Sequence, residues 1–288
     1  MTAASANPYD SAFYERETEV ALESARVVIP ILLTLIQPRT VIDIGCGLGA
    51  WLRALRENNV ETVRGLDGPW VDPSKILIDA SSFQPIDLDR PLEIHESYDL
   101  ALCLEVVEHL PYLTATRLIR TLTTVSPLVL FSAAIPGQGG TGHINEQWPF
   151  FWRSEFVRHG FLRLDAIRPR ILHDQRVAWW YRQNIFLYAS RDVVAASSVL
   201  RAEPNPPDRE SLEIIRHDIL KNIVRRRESF RGLFAETQRA GLRAVQRRFF
   251  QLLEHSDRSD RLSRLHTLRS VVGQWTSRFL SMRNKGSR

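Results

Sequence analysis

Two short polar runs carry the side chains best suited to chemistry. The first is Glu105, Glu108 and His109, near the end of residues 98–111 (YDLALCLEVVEHLP). In a short helix, positions i, i+3 and i+4 share one face. The second is His143, Asn145, Glu146 and Gln147, directly after the glycine-rich stretch Gly137-Gln138-Gly139-Gly140-Thr141-Gly142. Four glycines in that window suit a loop tip that bends over a site. Two carboxylates and two imidazoles converging from adjacent strands make a mixed oxygen and nitrogen donor set. It suits Mg²⁺ or Mn²⁺ and accepts Zn²⁺ or Fe²⁺. Without a metal, His109 or His143 is the candidate general base. A purely structural role, with the glutamates capping a helix, is the third reading.

A second constellation surrounds residues 41–52, VIDIGCGLGAWL. Val41, Ile42 and Ile44 suit a buried parallel strand. Gly45, Gly47 and Gly49 follow, then Trp51, Leu52 and Leu55 at helical spacing. Strand, glycine turn and helix let a backbone pass close to a bound nucleotide. The spacing is G-x-G-x-G, not the G-x-G-x-x-G that sets a pyrophosphate on a helix N-terminus. Asp43, just before the turn, repels phosphate and attracts an ammonium group. Asp67 ends a second strand that begins at Glu61, close to the ~20-residue offset of a carboxylate that grips ribose hydroxyls.

These elements must be positioned by a sheet. Phe83–Leu88 reads as a third strand, with Asp87 near its end; residues 98–111 hold a fourth strand and its exit; Leu128–Pro136 holds a fifth. A late hairpin has arms at Leu162–Ile171 and Asn184–Ala189. The alternation predicts a parallel sheet covered by helices on both faces, with an antiparallel edge. Residues 13–36 read as an amphipathic helix.

Over roughly residues 35–190, the linked motifs resemble the class I S-adenosylmethionine (SAM) methyltransferases. The resemblance implies an α/β fold: a Rossmann-like sheet with helices on both faces, an N-terminal helical cap and a C-terminal helical extension. It implies that Asp43, Gly45, Cys46 and Gly47 line the methionine part of SAM and that Asp67 meets the ribose. It further implies that Asp87 meets the adenine amino group, with Asp89 its neighbouring competitor, and that Glu105 touches SAM. The Glu-x-x-Glu-His pattern with a later His is similar to the metal site of small-RNA 3′-terminal 2′-O-methyltransferases. Its first part is similar to ubiquinone-pathway O-methyltransferases. By that likeness Glu105, Glu108, His109 and His143 hold Mg²⁺ or Mn²⁺, although His143 comes from a loop of different length. The stretch GQGGTGHINEQWPFFW is similar to loops of bacterial methyltransferases of surface polysaccharides and glycosylated natural products. The expected reaction is O-methylation of a hydroxyl on a sugar or other small polar metabolite. An RNA 2′-O-methyltransferase and a non-catalytic SAM-binding scaffold are the alternatives. Trp148, Trp152, Trp179, Trp180 and Tyr181 flank the acceptor side or fill core, and Arg182, Gln183 and Asn184 offer it hydrogen bonds.

Composition frames the rest. The chain has 288 residues, 44% hydrophobic and 25% charged, with a net charge of +5. Three regions are expected: a cap over 1–38, a SAM-binding core over 39–192 and a basic helical region over 206–288. That last region holds 19 Lys+Arg against 9 Asp+Glu; the preceding 205 residues hold 19 against 24. The core is therefore acidic, which weighs against nucleic acid as the partner. Leu212, Ile215, Ile219 and Ile223 start an apolar stripe in the basic region. Such a helix packs on the body or another subunit, or binds an anionic membrane surface. Two cysteines, no visible signal peptide and no ~20-residue apolar run point to the cytoplasm, or its periphery at the inner membrane surface.

Overall fold

The computed structural model describes residues 11–205, with side chains from residue 17 onward. The basic region expected over 206–288 lies outside the described residues. The described chain opens with helix α1 (Ser11–Leu35), followed by strand β1 (Thr40–Ile44), helix α2 (Ala50–Glu57), β2 (Thr62–Asp67) and β3 (Phe83–Pro85). Then come β4 (Leu100–Leu104), α3 (Tyr112–Val125), β5 (Leu128–Ser132), α4 (Pro149–Arg158) and β6 (Phe161–Leu164). The last elements are α5 (Arg168–Ile171), α6 (Trp179–Asn184), β7 (Phe186–Ser190), α7 (Arg191–Ala196) and α8 (Ser198–Ala202).

The seven strands form one sheet in the order β3-β2-β1-β4-β5-β7-β6. Strands β3 to β5 pair in parallel; β7 is antiparallel to both β5 and β6. This is the parallel sheet with an antiparallel edge that the alternation predicts. All five residues of β4 and of β5 are buried, because helices cover both faces. One apolar layer joins Ala25, Val28, Ile29 and Leu32 of α1 to Leu52 and Leu55 of α2 and to Val41, Leu100 and Leu102 of the sheet. The opposite layer joins Ile42, Ile44, Ala101 and Cys103 to Ile119 and Leu122 of α3 and to Phe156 of α4. The alternation of β1 and β4 between the layers is the period-2 geometry of a strand.

Three expectations need adjustment. Strand β3 ends at Pro85, opposite Asp67, the last residue of its partner β2, so Asp87 lies beyond it. The first hairpin arm stops at Leu164; residues 168–171 turn into α5, with Pro169 in its first turn. Asn184 closes α6 instead of opening β7. Between the arms, the buried Arg168 forms a two-pronged ion pair with Asp165 and donates to the Gln183 carbonyl at 3.0 Å. Its guanidinium also lies 4.0 Å from the centre of the Phe186 ring. These contacts fix the end of α6 against the sheet.

Ser24 Oγ of α1 accepts the Ala178 N–H at 2.9 Å and donates to the Val20 carbonyl at 2.7 Å. The cap helix is thereby joined to the start of α6. Both cysteines are buried and free. No helix among the described residues is long and apolar enough to cross a membrane.

Candidate functional site

The glycine turn after β1 is held by main-chain bonds. The Gly45 and Cys46 amides both donate to the Leu66 carbonyl, at 2.7 and 3.1 Å. Gly45 has φ of 85°, and a Cβ there would lie 2.3 Å from Val106, so the turn and the β4 exit approach more closely than a side chain allows. Gly49, with φ of 84°, starts α2. Cys46 contributes its backbone to the turn; its thiol sits against Gly65 of β2, and burial pushes it well up, so it stays protonated.

Two carboxylates face this turn. Asp67 accepts the Gly47 N–H and the Gly68 N–H, both at 2.6 Å. Burial pushes its carboxyl up while these two amides pull it down, and the net direction is up. Asp43 is 2% exposed, and its carboxyl is pushed up to about 7, first by burial and then by the charge of Asp67. A cationic group placed between them would relieve both effects. Asp87 is half-exposed and engaged in its own turn: it accepts the Asp89 N–H at 3.0 Å and pairs with Arg90 at 3.2 Å.

Of the four residues expected as one metal set, three offer donor atoms close to one another, and the carboxylate of the fourth, Glu105, stands beside that of Glu108. Glu108, His109 and His143 each offer a ligand atom, and these atoms all lie within 4.8 Å of one another. Glu108 and His109 sit on a single 3-10 turn, Val107–His109. His143 is brought to them by Asn145, whose N–H donates to the Glu108 carbonyl at 2.9 Å and whose amide donates to the Val107 carbonyl at 3.2 Å. Glu108 is fully buried; one carboxyl oxygen accepts the Ala134 N–H at 3.1 Å, and the other, Oε2, has no hydrogen-bond partner. Burial first, and the charge of Glu105 second, push its carboxyl well up. An orphaned buried carboxyl oxygen beside two imidazoles fits a divalent cation, which would replace the proton.

Glu105 is not among those three donors, but its carboxylate stands beside that of Glu108. It is one of two non-glycine residues with positive φ among those described, at 55°. Its carboxylate accepts the Gln138 amide at 3.0 Å and the Asn184 amide at 3.3 Å. Asn184 also donates to Gln138 at 2.9 Å and accepts from Gln183 at 3.0 Å. The side-chain amides of Gln183 and Asn184, assigned from sequence to the acceptor, thus close on Glu105 and on each other. Tyr181 stands near the same carboxylate and that of Asp43; burial pushes its hydroxyl well up, and Trp51 donates to it at 3.4 Å.

Gln138 and the loop clamp were not legible from sequence as partners of Glu105. Both oxygens of Glu146 accept loop amides, from Gly137 at 2.8 Å and Gly139 at 2.6 Å. The signal was present in the alternation of glycines with a carboxylate seven to nine residues on. Trp152, a candidate acceptor wall, is 2% exposed and packs on Phe131 in the core.

Residues 14–168 match the family model described as a methyltransferase domain. The chain belongs to this family. No curated protein matches it. Among solved structures, an O-methyltransferase family protein from Burkholderia thailandensis is similar at 15% identity and a TM-score of 0.46, over 64% of this chain and 60% of that one. Human N-acetylserotonin methyltransferase in complex with SAM is similar at 17% and 0.44, over 62% and 55%. The methyltransferase domain of a bacterial Hen1 is similar at 15% and 0.43, over 59% and 98%. The chain thus spans about three fifths or less of the first two.

Proposed function

We propose that the protein transfers the methyl group of SAM to a hydroxyl of a sugar or another small polar acceptor. The observation that carries this reading is the pairing of two sites at the carboxyl ends of neighbouring strands. One is the Asp43–Asp67 pair at the glycine turn; the other is the Glu108–His109–His143 cluster after β4 and β5. The first suits the ammonium and ribose of SAM; the second suits a hydroxyl that must lose a proton.

Asp43 binds the cofactor ammonium, and Asp67 accepts ribose hydroxyls while Gly47 and Gly68 hold its carboxylate in place. Glu105, fixed by Gln138 and Asn184, keeps a negative charge beside the methionine end. Glu108, His109 and His143 are the residues that would hold a divalent ion, of which Mg²⁺ and Mn²⁺ are the candidates weighed from sequence. A bound ion supplies Lewis-acid lowering of the acceptor hydroxyl's pKa. The sulfonium is already an excellent leaving group, so alignment and deprotonation are what the protein contributes. The acidic core makes a small neutral or cationic acceptor a better fit than RNA.

The test is formation of S-adenosylhomocysteine (SAH) from SAM with a panel of sugars and hydroxylated metabolites, before and after chelation. Turnover that falls with chelator and returns with Mn²⁺ or Mg²⁺ supports the metal-assisted reading. Full activity in protein shown metal-free leaves a histidine as the base, and no turnover of any acceptor by SAM-binding protein favours a scaffold.

A further inference from the structure

The loop between β5 and α4 is fastened by one of its own side chains. Gly137 and Gly139 have φ of 92° and 71°, in the left-handed region that favours glycine. Their N–H groups converge on Glu146, which accepts the first at 2.8 Å on one carboxyl oxygen and the second at 2.6 Å on the other. Converging backbone amides of this kind make a concavity suited to an anion; here the chain supplies the anion itself. A Cβ on Gly139 would meet nothing within 4 Å, so glycine serves there for its backbone angle and not for space.

The residue between the two clamped amides is Gln138. Its side-chain amide donates to Glu105 at 3.0 Å, and its side-chain oxygen accepts from Asn184 at 2.9 Å and from the Ile135 N–H at 3.3 Å. Glu105 itself holds a left-handed backbone, a conformation that persists in a side-chain-bearing residue where the surroundings fix it. The neighbours of Glu146 are tied down on both sides. The Asn145 N–H donates to the Glu108 carbonyl at 2.9 Å, and the Gln147 N–H donates to the Ala134 carbonyl at 3.3 Å. Glu146 therefore stands on a fixed base, and the glycine loop is held to it.

We propose that Glu146 is a positioning residue for methyl transfer: it locks Gln138 in place and thereby aims the Glu105 carboxylate at the methionine end of the cofactor. It acts through Gln138 and not by contact with a ligand. The inference rests on the reading above in which Glu105 lies beside SAM. Residues 137–142 hold four glycines in six, and ordering such a stretch loses much backbone entropy. One carboxylate making two charge-assisted bonds offsets that loss.

The experiment is titration of the full-length protein with SAH by calorimetry, with hydrogen exchange followed over residues 134–142. Glu146→Gln puts an amide where one acceptor stood, so one of its two loop bonds is lost. Exchange in the loop should speed up and SAH should weaken about three- to tenfold, the size of one hydrogen bond. Gly139→Val, whose branched side chain rejects the left-handed backbone, should do the same, and Gly139→Asn, which tolerates it, should stay near wild type. Position 139 faces open space, so these two variants test the clamp with the core untouched. In Glu105→Ala, adding Glu146→Gln should cause no further loss of affinity, because the group it aims is gone. A merely structural role predicts the same loss in both backgrounds. That result, unchanged loop exchange in Glu146→Gln, or wild-type SAH affinity in Glu146→Gln and Gly139→Val overturns the proposal while the SAM reading stands. Wild-type affinity in Glu105→Ala removes Glu105 from the cofactor and the proposal with it. If wild type itself binds no SAH, the SAM reading falls as well.

Discussion

The cofactor end and the acceptor end of this site are built in different ways. At the cofactor end, the residues that matter lie in one strand–turn–helix and the strand beside it, and main-chain bonds aim them: Leu66 receives two turn amides, and Asp67 receives two more. At the acceptor end, Glu108, His109 and His143 come from two segments joined by Asn145, and Glu105 is held by amides from a glycine loop and from α6. A site aimed by backbone can be changed one side chain at a time with the rest intact. A site aimed by side chains from distant segments fails as a unit.

That difference can be broken experimentally, beginning where the effect is largest. Glu108→Ala and His143→Ala should each slow methyl transfer by roughly 10²–10⁴ and abolish response to divalent ions, with SAH affinity near wild type. Glu105→Gln keeps its shape and is not one of the three close donors, so it should retain that metal response; its loss would return Glu105 to the ligand set. Gly45→Ala should destabilise the fold by roughly 2–4 kcal/mol, since the new methyl group meets Val106 and the backbone is left-handed; urea unfolding measures it.

Asp67→Ala removes a charge-assisted acceptor worth roughly 1.5–3 kcal/mol. SAM binding should weaken about ten- to a hundredfold by calorimetry, and unchanged affinity in folded protein would refute the assignment. The smallest effect is a pH dependence at Asp43. Its folded carboxyl titrates at about 7 against 3.8 for an ordinary aspartate. A raised acid contributes stability below its unfolded value and loses it as pH rises through the folded one. Melting of the ligand-free protein should therefore fall between roughly pH 5 and pH 7, where SAH affinity should rise several-fold as the carboxylate forms to meet the ammonium. Asp43→Asn should flatten both curves.

How much of this was legible follows the same divide. The succession of strands and helices, the glycine turn and the placement of Asp43 and Asp67 beside it were readable because each depends on local spacing: apolar strand, turn, amphipathic helix. Strand β3 was overrun by three residues because its apolar pattern continues past Pro85, where the ladder ends. The ligand group was half readable. Glu108 and His109 are adjacent in sequence, but the way Glu105 is held depends on its left-handed backbone and on Gln138 and Asn184, which lie 33 and 79 residues away. No periodicity reports such a pairing.

The bond from Ala178 to Ser24 spans 154 residues. The cap helix leaves the ribosome early, yet its buried hydroxyl finds this partner only after most of the domain has been made. During synthesis the face of α1 can pack on α2 and the first strands, but the Ser24 bond waits for α6, which carries the Asn184 that holds Glu105. Completion of the acceptor end is thus tied to arrival of α6, and a fragment that stops before residue 178 would carry the cofactor turn but not the finished site.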